Sequence, residues 1–224
     1  MEKLKELLKN PFDGLSNDKF NKKCAEIARE LFSNYHIDCG SNKKFYFAEI
    51  EFYYYDKNVY LKDKKQYEWQ IVTYPRDGYD GGDLFYHLSG IDICFKSQYN
   101  NENEDVKFGG ILIRAIKDEN GSVIAGPLKC KDEILNACKN GNMPKMEINK
   151  AGECKDIKLK STYRSLGKTG TDKKNDRLCY YDSSIGDWNS QRDSYDTSVG
   201  EKVSKKGSYN TSKFNDKKSL EQSK

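Results

Sequence analysis

A single run of the sequence, KFYFAEIEFYYYD at residues 44–56, limits the possible folds more than any other feature. It is dense in aromatic and β-branched residues, which are typical of a strand in a half-buried sheet. Successive side chains of a strand point to opposite faces, so every second residue shares a surface. One such set has the composition of a protein core and consists of Tyr46, Ala48, Ile50 and Phe52. The run therefore predicts a long strand with one face packed on a core.

The other face of this strand carries a pair of acids followed by a pair of tyrosines, namely Glu49, Glu51, Tyr53 and Tyr55. The two glutamates are two positions apart, which separates their Cα atoms by about 6.5–7 Å. Such a pair can place one carboxylate against a developing positive charge while the other orients a water molecule. We therefore take Glu51 and Glu49 as candidate catalytic residues, with a solvent-facing strand edge as the alternative.

The remaining pattern indicates the order helix, strand, long loop, strands and short helix. Helices are predicted within residues 1–9, 17–33 and 131–138, a loop-rich segment at 57–83, and further strands at 84–96, interrupted by Gly90, and at 109–116. Beyond residue 149 the apolar pattern weakens, and residues 161–170 and 177–188 are expected to add only peripheral strands or turns. This order predicts an α+β fold, a single domain built on a curved antiparallel sheet with flanking helices.

Size and composition place the domain at residues 1–199. The chain has 224 residues, and single hydrophobic cores rarely outgrow about 250–300 residues. Hydrophobic residues make up 36% of it, and residues 200–224 hold too few to pack, so a disordered basic tail is expected there. The charge is uneven, because residues 150–224 carry 17 Lys and Arg against 11 Asp and Glu. A basic C-terminal third can attract a polyanion or simply solvate the chain.

The sequence argues against several classes of protein. Seven scattered cysteines with no C-x-x-C pair and only two histidines do not make a metal site, and reduced core thiols are expected instead. No phosphate-binding glycine motif occurs, so we expect no cofactor. No apolar run approaches the roughly 20 residues of a membrane helix, and the N-terminus lacks an apolar signal core. We therefore expect no membrane contact and a soluble, cytoplasmic protein.

Two polar residues interrupt otherwise apolar strands. Arg114 in GGILIRAI is expected on the face shared with Leu112 and Ile116, where it needs an anionic partner. That partner is either a phosphate of a ligand or a structural carboxylate such as Glu49. His87 in LFYHLSG is either a general acid or base, or a packed and hydrogen-bonded histidine.

Five segments in order resemble the alkyladenine (3-methylpurine) DNA glycosylase family. They are IARELF, FYFAEIEFYYYD, GDLFYHLSGIDICF, GGILIRAI and IAGPLKCKDEIL. The family carries an AR-LL helix, an E-x-E-A-Y strand, a G-x-L-Y-V-Y-x-x-Y-G-M strand, an L-L-R-A strand and a G-P-x-K-L turn. The resemblance is distant and covers residues 24–138, a little over half of the chain.

The resemblance implies roles for individual residues. Glu51 matches the glutamate that activates water for attack on the anomeric carbon of a flipped nucleotide. Tyr53 matches the aromatic residue that stacks on the extruded base, and either Tyr86 or His87 matches the second stacking residue. Arg114 matches the arginine that lies near the DNA backbone and the catalytic strand.

The sequence also departs from the family pattern. The family has a pocket histidine shortly after the E-x-E-A-Y strand, whereas no histidine lies between Tyr53 and Tyr86. Ser89 stands before Gly90, where the family has a tyrosine that wedges into the duplex, and Lys96 stands in place of an asparagine. These departures favour a catalytically silent module over excision of alkylated adenine.

The expected function is therefore that of a monofunctional DNA N-glycosylase, a hydrolase that releases a modified purine or other modified base after base flipping. Its expected partner is double-stranded DNA, and we expect a monomer in the cytoplasm, at the nucleoid, or in the nucleus of a eukaryote. Two alternatives stay open. One is a silent glycosylase-like module that binds nucleic acid or a protein, and the other is a hydrolase of free nucleosides or nucleotides.

Overall fold

Three helices in the described part of the chain pack against one face of an antiparallel sheet. The computed structural model describes residues 2–9, 11–12, 17–40, 43–56, 73, 75–98, 106–138, 142–150, 153–154, 156–164 and 177–185. The expected tail at residues 200–224 and most of the expected loop, residues 57–72, lie outside these ranges.

The elements follow the predicted order. The helices are α1 (Glu2–Lys9), α2 (Asn17–Asn34) and α3 (Pro127–Ala137). The strands are β1 (Tyr35–Asp38), β2 (Lys44–Asp56), β3 (Leu84–His87), β4 (Gly90–Cys94), β5 (Lys107–Lys117), β6 (Val123–Ala125), β7 (Lys145–Ile148), β8 (Leu159–Arg164) and β9 (Arg177–Asp182). The α+β class and the long strand at residues 44–56 are thus confirmed, and the expected strand at 84–96 is a hairpin of β3 and β4.

Strand β2 is the centre of a curved sheet in which all described pairings are antiparallel. The main path runs β3-β4-β5-β2-β1-β7, with β6 beside the end of β5 and β8 beside β9. Strand β9 pairs with β2 at residues 49–51, the position of the two candidate glutamates. The interpretation of residues 177–188 as only peripheral was therefore wrong, because β9 completes the middle of the sheet.

The core lies between the helices and one sheet face. In α2 the apolar positions recur at helical spacing, and Cys24, Ile27, Ala28 and Leu31 are all fully buried. Leu4 and Leu8 of α1 are fully buried in the same core. None of the helices in the described ranges is both long and apolar enough to cross a bilayer.

A bulge in β2 changes which side chains face this core. Phe47 is opposite Ile116 on β5, but Glu49 is opposite Ala115, so one extra β2 residue, Ala48, is accommodated between them. Phe45 and Phe47 therefore face the core before the bulge, and Ile50 and Phe52 after it. Strict alternation was right for Ile50 and Phe52 and wrong for Tyr46 and Ala48, because the bulge shifts the period by one residue.

The same irregularity corrects the predicted face of Arg114. Ala115 is opposite Glu49 and Ile113 is opposite Ile50, so Arg114 falls at the register shift between them. Leu112 shares the outer face with Arg114, whereas Ile116 lies in the core. The prediction that Ile116 shares the face of Arg114 was therefore wrong.

All seven cysteines fall within the described residues, and none of them forms a disulfide. Five of them are buried, and burial raises the pKa of Cys94 and of Cys130 to about 12. The expected position in the core is confirmed for these five residues.

Candidate functional site

The two glutamates of β2 converge on one arginine on the sheet face away from the core. Arg114 Nη1 donates to Glu51 Oε2 at 2.7 Å, and its Nε donates to Glu49 Oε1 at 3.3 Å. Glu51 is 0% exposed, and Glu49 and Arg114 are each 5% exposed. Buried carboxylates are stable only when paired, so Arg114 holds both acids inside the protein. These are the contacts of a structural ion pair, one of the two roles expected for Arg114.

Tyr53 joins this group, which we call the Glu51 cluster (Glu49, Glu51, Tyr53 and Arg114). Its hydroxyl donates to Glu51 Oε1 from two residues along the same strand. Burial alone would lower the pKa of Arg114, but the carboxylates of Glu51 and Glu49 outweigh burial and raise that pKa above its usual value. The guanidinium therefore stays charged beside the two acids.

A cavity of about 430 Å³ lies beside the Glu51 cluster on the same sheet face. Its described lining consists of Tyr53, Arg76, Phe85, His87, Leu88, Ser89, Asp92 and Leu112. The sheet order β3-β4-β5-β2 explains its shape, because Phe85 and His87 stand on one side and Tyr53 on the other. We call this cavity the trough. Its volume falls within the range of small-molecule sites.

Glu51 does not line the trough within the described part of the chain. Glu51 is opposite Leu112, a residue that lines the trough, and Glu51 accepts the hydrogen bond from the hydroxyl of Tyr53. The predicted site residues therefore divide into two groups. Tyr53 and His87 face the trough, while Glu49, Glu51 and Arg114 lie buried next to Tyr53.

The structure distinguishes the two residues expected as the second stacking group. Tyr86 faces the core, where its hydroxyl donates to the Pro144 carbonyl at 3.5 Å and burial raises its pKa. His87, the next residue of β3, points to the opposite face and lines the trough. Its ring is stacked near Phe85, with centroids 6.0 Å apart and planes 18° apart. Of the two, His87 is the one that a ligand in the trough would meet.

A second ionic group, of which the sequence predictions included only His87, lies at the base of the trough. Arg76 donates to Asp92 Oδ2 through Nε at 3.1 Å and Nη2 at 2.5 Å, and both residues are nearly fully buried. His87 Nε2 lies 3.4 Å from Asp92 Oδ1. We call these three residues the Asp92 cluster. Burial alone would raise the pKa of Asp92, but His87 and Arg76 together hold it below its usual value.

A glycine makes room for this cluster. A Cβ atom at Gly110 would lie 2.9 Å from Arg76 Nε and 3.1 Å from the Ile93 carbonyl oxygen. The bare backbone of Gly110 thus allows the guanidinium to lie against the sheet. The sequence did hold a signal for this cluster, because an acid in the apolar strand GIDICF requires a buried cation.

The hairpin turn between β3 and β4 forms one rim of the trough. Lys131 of α3 donates to the carbonyl oxygens of His87 at 2.8 Å and Leu88 at 3.1 Å, which fastens the turn to the helix. The Ser89 backbone N–H donates to His87 Nδ1 at 3.3 Å. The imidazole is therefore held by the main chain of its own turn.

Within the described residues no group of three or more His, Cys, Asp or Glu side chains is arranged to hold a metal ion. The site itself contains paired carboxylates, guanidinium groups, an imidazole and aromatic rings. Comparison with known proteins finds no matching family model, no matching curated protein and no matching solved structure.

Proposed function

We propose that the protein is an N-glycosidase that removes a modified base from DNA after the base has been flipped out of the duplex. The observation that carries this proposal is the contact between Tyr53 and Glu51. Tyr53 lines the trough, and its hydroxyl donates to the fully buried carboxylate of Glu51. A base in the trough would therefore lie next to the strand that holds this acid. The distant resemblance to the alkyladenine DNA glycosylase family points to the same residue.

The proposed chemistry uses the negative charge of Glu51. As the bond between the sugar and the base breaks, the bonding electron pair leaves with the base and the sugar becomes an oxocarbenium-like cation. The carboxylate stabilises that cation and accepts a proton from the water whose oxygen attacks the anomeric carbon. Arg114 Nη1 lies 2.7 Å from Glu51 Oε2 and so holds this carboxylate in one position.

Glu49 and the aromatic residues have supporting roles in this proposal. Glu49 shares Arg114 with Glu51 and so fixes the guanidinium from its other side. Tyr53 and His87 stand on opposite sides of the trough, where Tyr53 can contact a face of an extruded base and His87 can contact its edge.

Double-stranded DNA is the proposed partner, bound by a monomer in the cytoplasm, at the nucleoid, or in a nucleus. Arg114 is occupied by carboxylates, so we assign phosphate binding to the lysines of the C-terminal third instead.

A catalytically silent module is the second candidate, and one observation favours it. Arg114, Tyr53 and Cys179 all contact Glu51, and the carboxylate is 0% exposed. A glutamate held in this way has the contacts of a structural ion pair. Such a module would bind DNA or a protein without releasing a base.

Base release from duplexes that carry single modified bases tests the proposal. We expect Glu51→Gln to lower the rate by about 100-fold or more, because the nearly isosteric amide cannot accept a proton from water. Glu147→Gln is the matched control, since Glu147 lies on strand β7 at the end of the sheet path, and its side chain is 40% exposed and pairs with Lys145 at the surface. Equal rates in the two variants would refute the role of Glu51. DNA binding without base release by the unaltered protein would support the silent module.

A further inference from the structure

Asp92 presents one carboxylate oxygen toward His87 at the base of the trough. Its Oδ2 atom accepts two hydrogen bonds from Arg76, which uses the two lone pairs of that oxygen. Its Oδ1 atom is 3.4 Å from His87 Nε2, longer than the 2.7–2.9 Å or so of a strong charge-assisted hydrogen bond. Arg76 keeps the carboxylate ionised, so Asp92 Oδ1 is an acceptor with capacity for a further donor.

The contacts of the His87 ring direct its Nε2–H toward Asp92. The Ser89 backbone N–H donates to Nδ1, which must therefore carry a lone pair and no proton. The proton of the neutral imidazole is then on Nε2, the nitrogen that faces Asp92. Main chain and side chain together fix the tautomer.

The two groups lie side by side and both line the trough. We propose that His87 and Asp92 recognise a flat heteroaromatic ring on which an N–H donor lies directly beside a hydrogen-bond acceptor. The ligand donates to Asp92 Oδ1 and accepts from His87 Nε2–H, which replaces one 3.4 Å contact by two hydrogen bonds of normal length. This edge occurs in oxo-bases, where N–H adjoins a carbonyl, and in amino-bases, where an amino group adjoins a ring nitrogen.

The sheet register relates this pair to the rest of the site. Asp92 is opposite Leu112 on β5, and Leu112 is in turn opposite Glu51 on β2. Asp92 and Glu51 are thus two strands apart in one row, about 10 Å between Cα atoms. A purine nucleoside can span that row with its polar edge at Asp92 and its sugar toward Glu51. This orientation rests on the proposed function, but the recognition of the edge does not.

Matched pairs of nucleosides test the inference on the full chain by isothermal titration calorimetry. The first pair is deoxyinosine and its N1-methyl derivative, and the second is deoxyadenosine and its N6,N6-dimethyl derivative. Methylation removes the N–H donor and leaves the ring and the acceptor in place. We expect it to raise the Kd at least tenfold in the pair that the trough binds, because a hydrogen bond to a charged acceptor is lost. The two pairs distinguish an oxo-base from an amino-base.

Three variants locate the effect. Asp92→Asn should reduce the preference for the unmethylated nucleoside to less than threefold. Asp77→Asn makes the same chemical change on an exposed residue of the adjacent turn and should leave the preference unchanged. His87→Phe keeps a ring beside Phe85 but has no donor, so it serves where Asp92→Asn does not fold, and it should weaken binding of the unmethylated nucleoside.

The outcomes separate this inference from the proposed function. Kd values within threefold for both pairs, or no binding of any nucleoside, would overturn the inference. A clear preference that disappears in Asp92→Asn would support it. If that preference is found while no base is released from DNA, the recognition pair stands and the glycosidase proposal fails. If base release depends on Glu51 but methylated and unmethylated nucleosides bind equally well, the glycosidase proposal stands and the recognition pair fails.

Discussion

Cys179 on β9 lies directly opposite Glu51 on β2, and its Sγ atom is 3.7 Å from Glu51 Oε2. The two residues are 128 positions apart in the sequence. Cys179 is only 1% exposed, so β9 covers the edge of β2 at the position of the candidate catalytic acid. The environment of Glu51 therefore depends on a segment that follows the best-matched region, residues 24–138.

Truncation tests the contribution of β9 to the fold. We expect a chain ending at residue 199 to melt at the same temperature as the full chain, because the deleted residues have too few apolar side chains to pack. A chain ending at residue 176 lacks Leu178 and Tyr180, each 6% exposed in the core, and leaves residues 49–51 of β2 paired with β5 alone. It should lose cooperative thermal unfolding by circular dichroism. Equal melting of the two truncated chains would show that β9 is dispensable.

Arg114→Met should strongly destabilise the protein. It removes the guanidinium that both buried glutamates share, and breaking a buried ion pair costs about 3–5 kcal/mol. The free energy of unfolding in urea measures this loss. Lys145→Met is the control, since its pair with Glu147 is exposed and surface pairs contribute at most about 1 kcal/mol.

A combined variant shows whether the loss of stability in Arg114→Met comes from leaving Glu49 and Glu51 buried without a cation. Adding Glu49→Gln and Glu51→Gln to Arg114→Met neutralises both carboxylates and should restore part of the stability. No recovery would mean that the loss reflects packing of the arginine side chain and not unpaired charge.

The sequence was sufficient to predict the helices and the long strands because their signals are local. Apolar residues at helical spacing in α2, and the dense run of aromatic residues in β2, each determine one element by themselves. The face that carries Glu49, Glu51 and Tyr53 follows from the same alternation. The exact partners of these residues on β5 could not be predicted in this way, because the bulge at Ala48 depends on how two strands distant in sequence fit together.

Most of the trough was beyond sequence reasoning for the same reason. Arg76 lies in an irregular segment, and only the tertiary structure brings it to Asp92 on β4. The choice between Tyr86 and His87 likewise depended on which face of β3 packs on the core. Strand β9 was underestimated because its short apolar run, residues 178–181, is isolated in a polar region.

The lowered pKa of Asp92 predicts a specific dependence of stability on pH. A carboxyl group whose pKa is lower in the folded state stabilises the protein above its unfolded pKa, about 3.9 for Asp. That contribution is lost as the pH falls through the lower, folded-state pKa. The difference in unfolding free energy between the unaltered protein and Asp92→Asn should therefore be largest near neutral pH and shrink in acid. A difference that stays constant down to about pH 2 would contradict a stabilising ionised Asp92.

Gly110→Ala should disturb the Asp92 cluster without altering any of its members. The new methyl group would lie 2.9 Å from Arg76 Nε, and the nearby Ile93 carbonyl limits its movement. We expect a loss of about 1–3 kcal/mol, the usual cost of overpacking a buried site. A double-mutant cycle with Arg76→Ala, measured in urea, identifies the cause. The alanine at residue 110 should cost less once Arg76 is removed, and an equal cost in both backgrounds would exclude Arg76 as the residue displaced.

If the protein binds DNA as proposed, deletion of residues 200–224 should flatten the salt dependence of that binding. Residues 201–224 contain seven lysines against three acids, and each phosphate that a lysine neutralises contributes about 0.9 to the slope of log K against log salt. Fluorescence anisotropy with one duplex at several salt concentrations measures the slope, which we expect to become shallower by about 2 or more units. A chain of full length with these seven lysines changed to glutamine separates charge from chain length and should behave like the deletion. The preferred base should not change in either protein, because under the proposed function the lysines would contact phosphates and the trough would contact the base. An unchanged slope would mean that the segment only solubilises the chain.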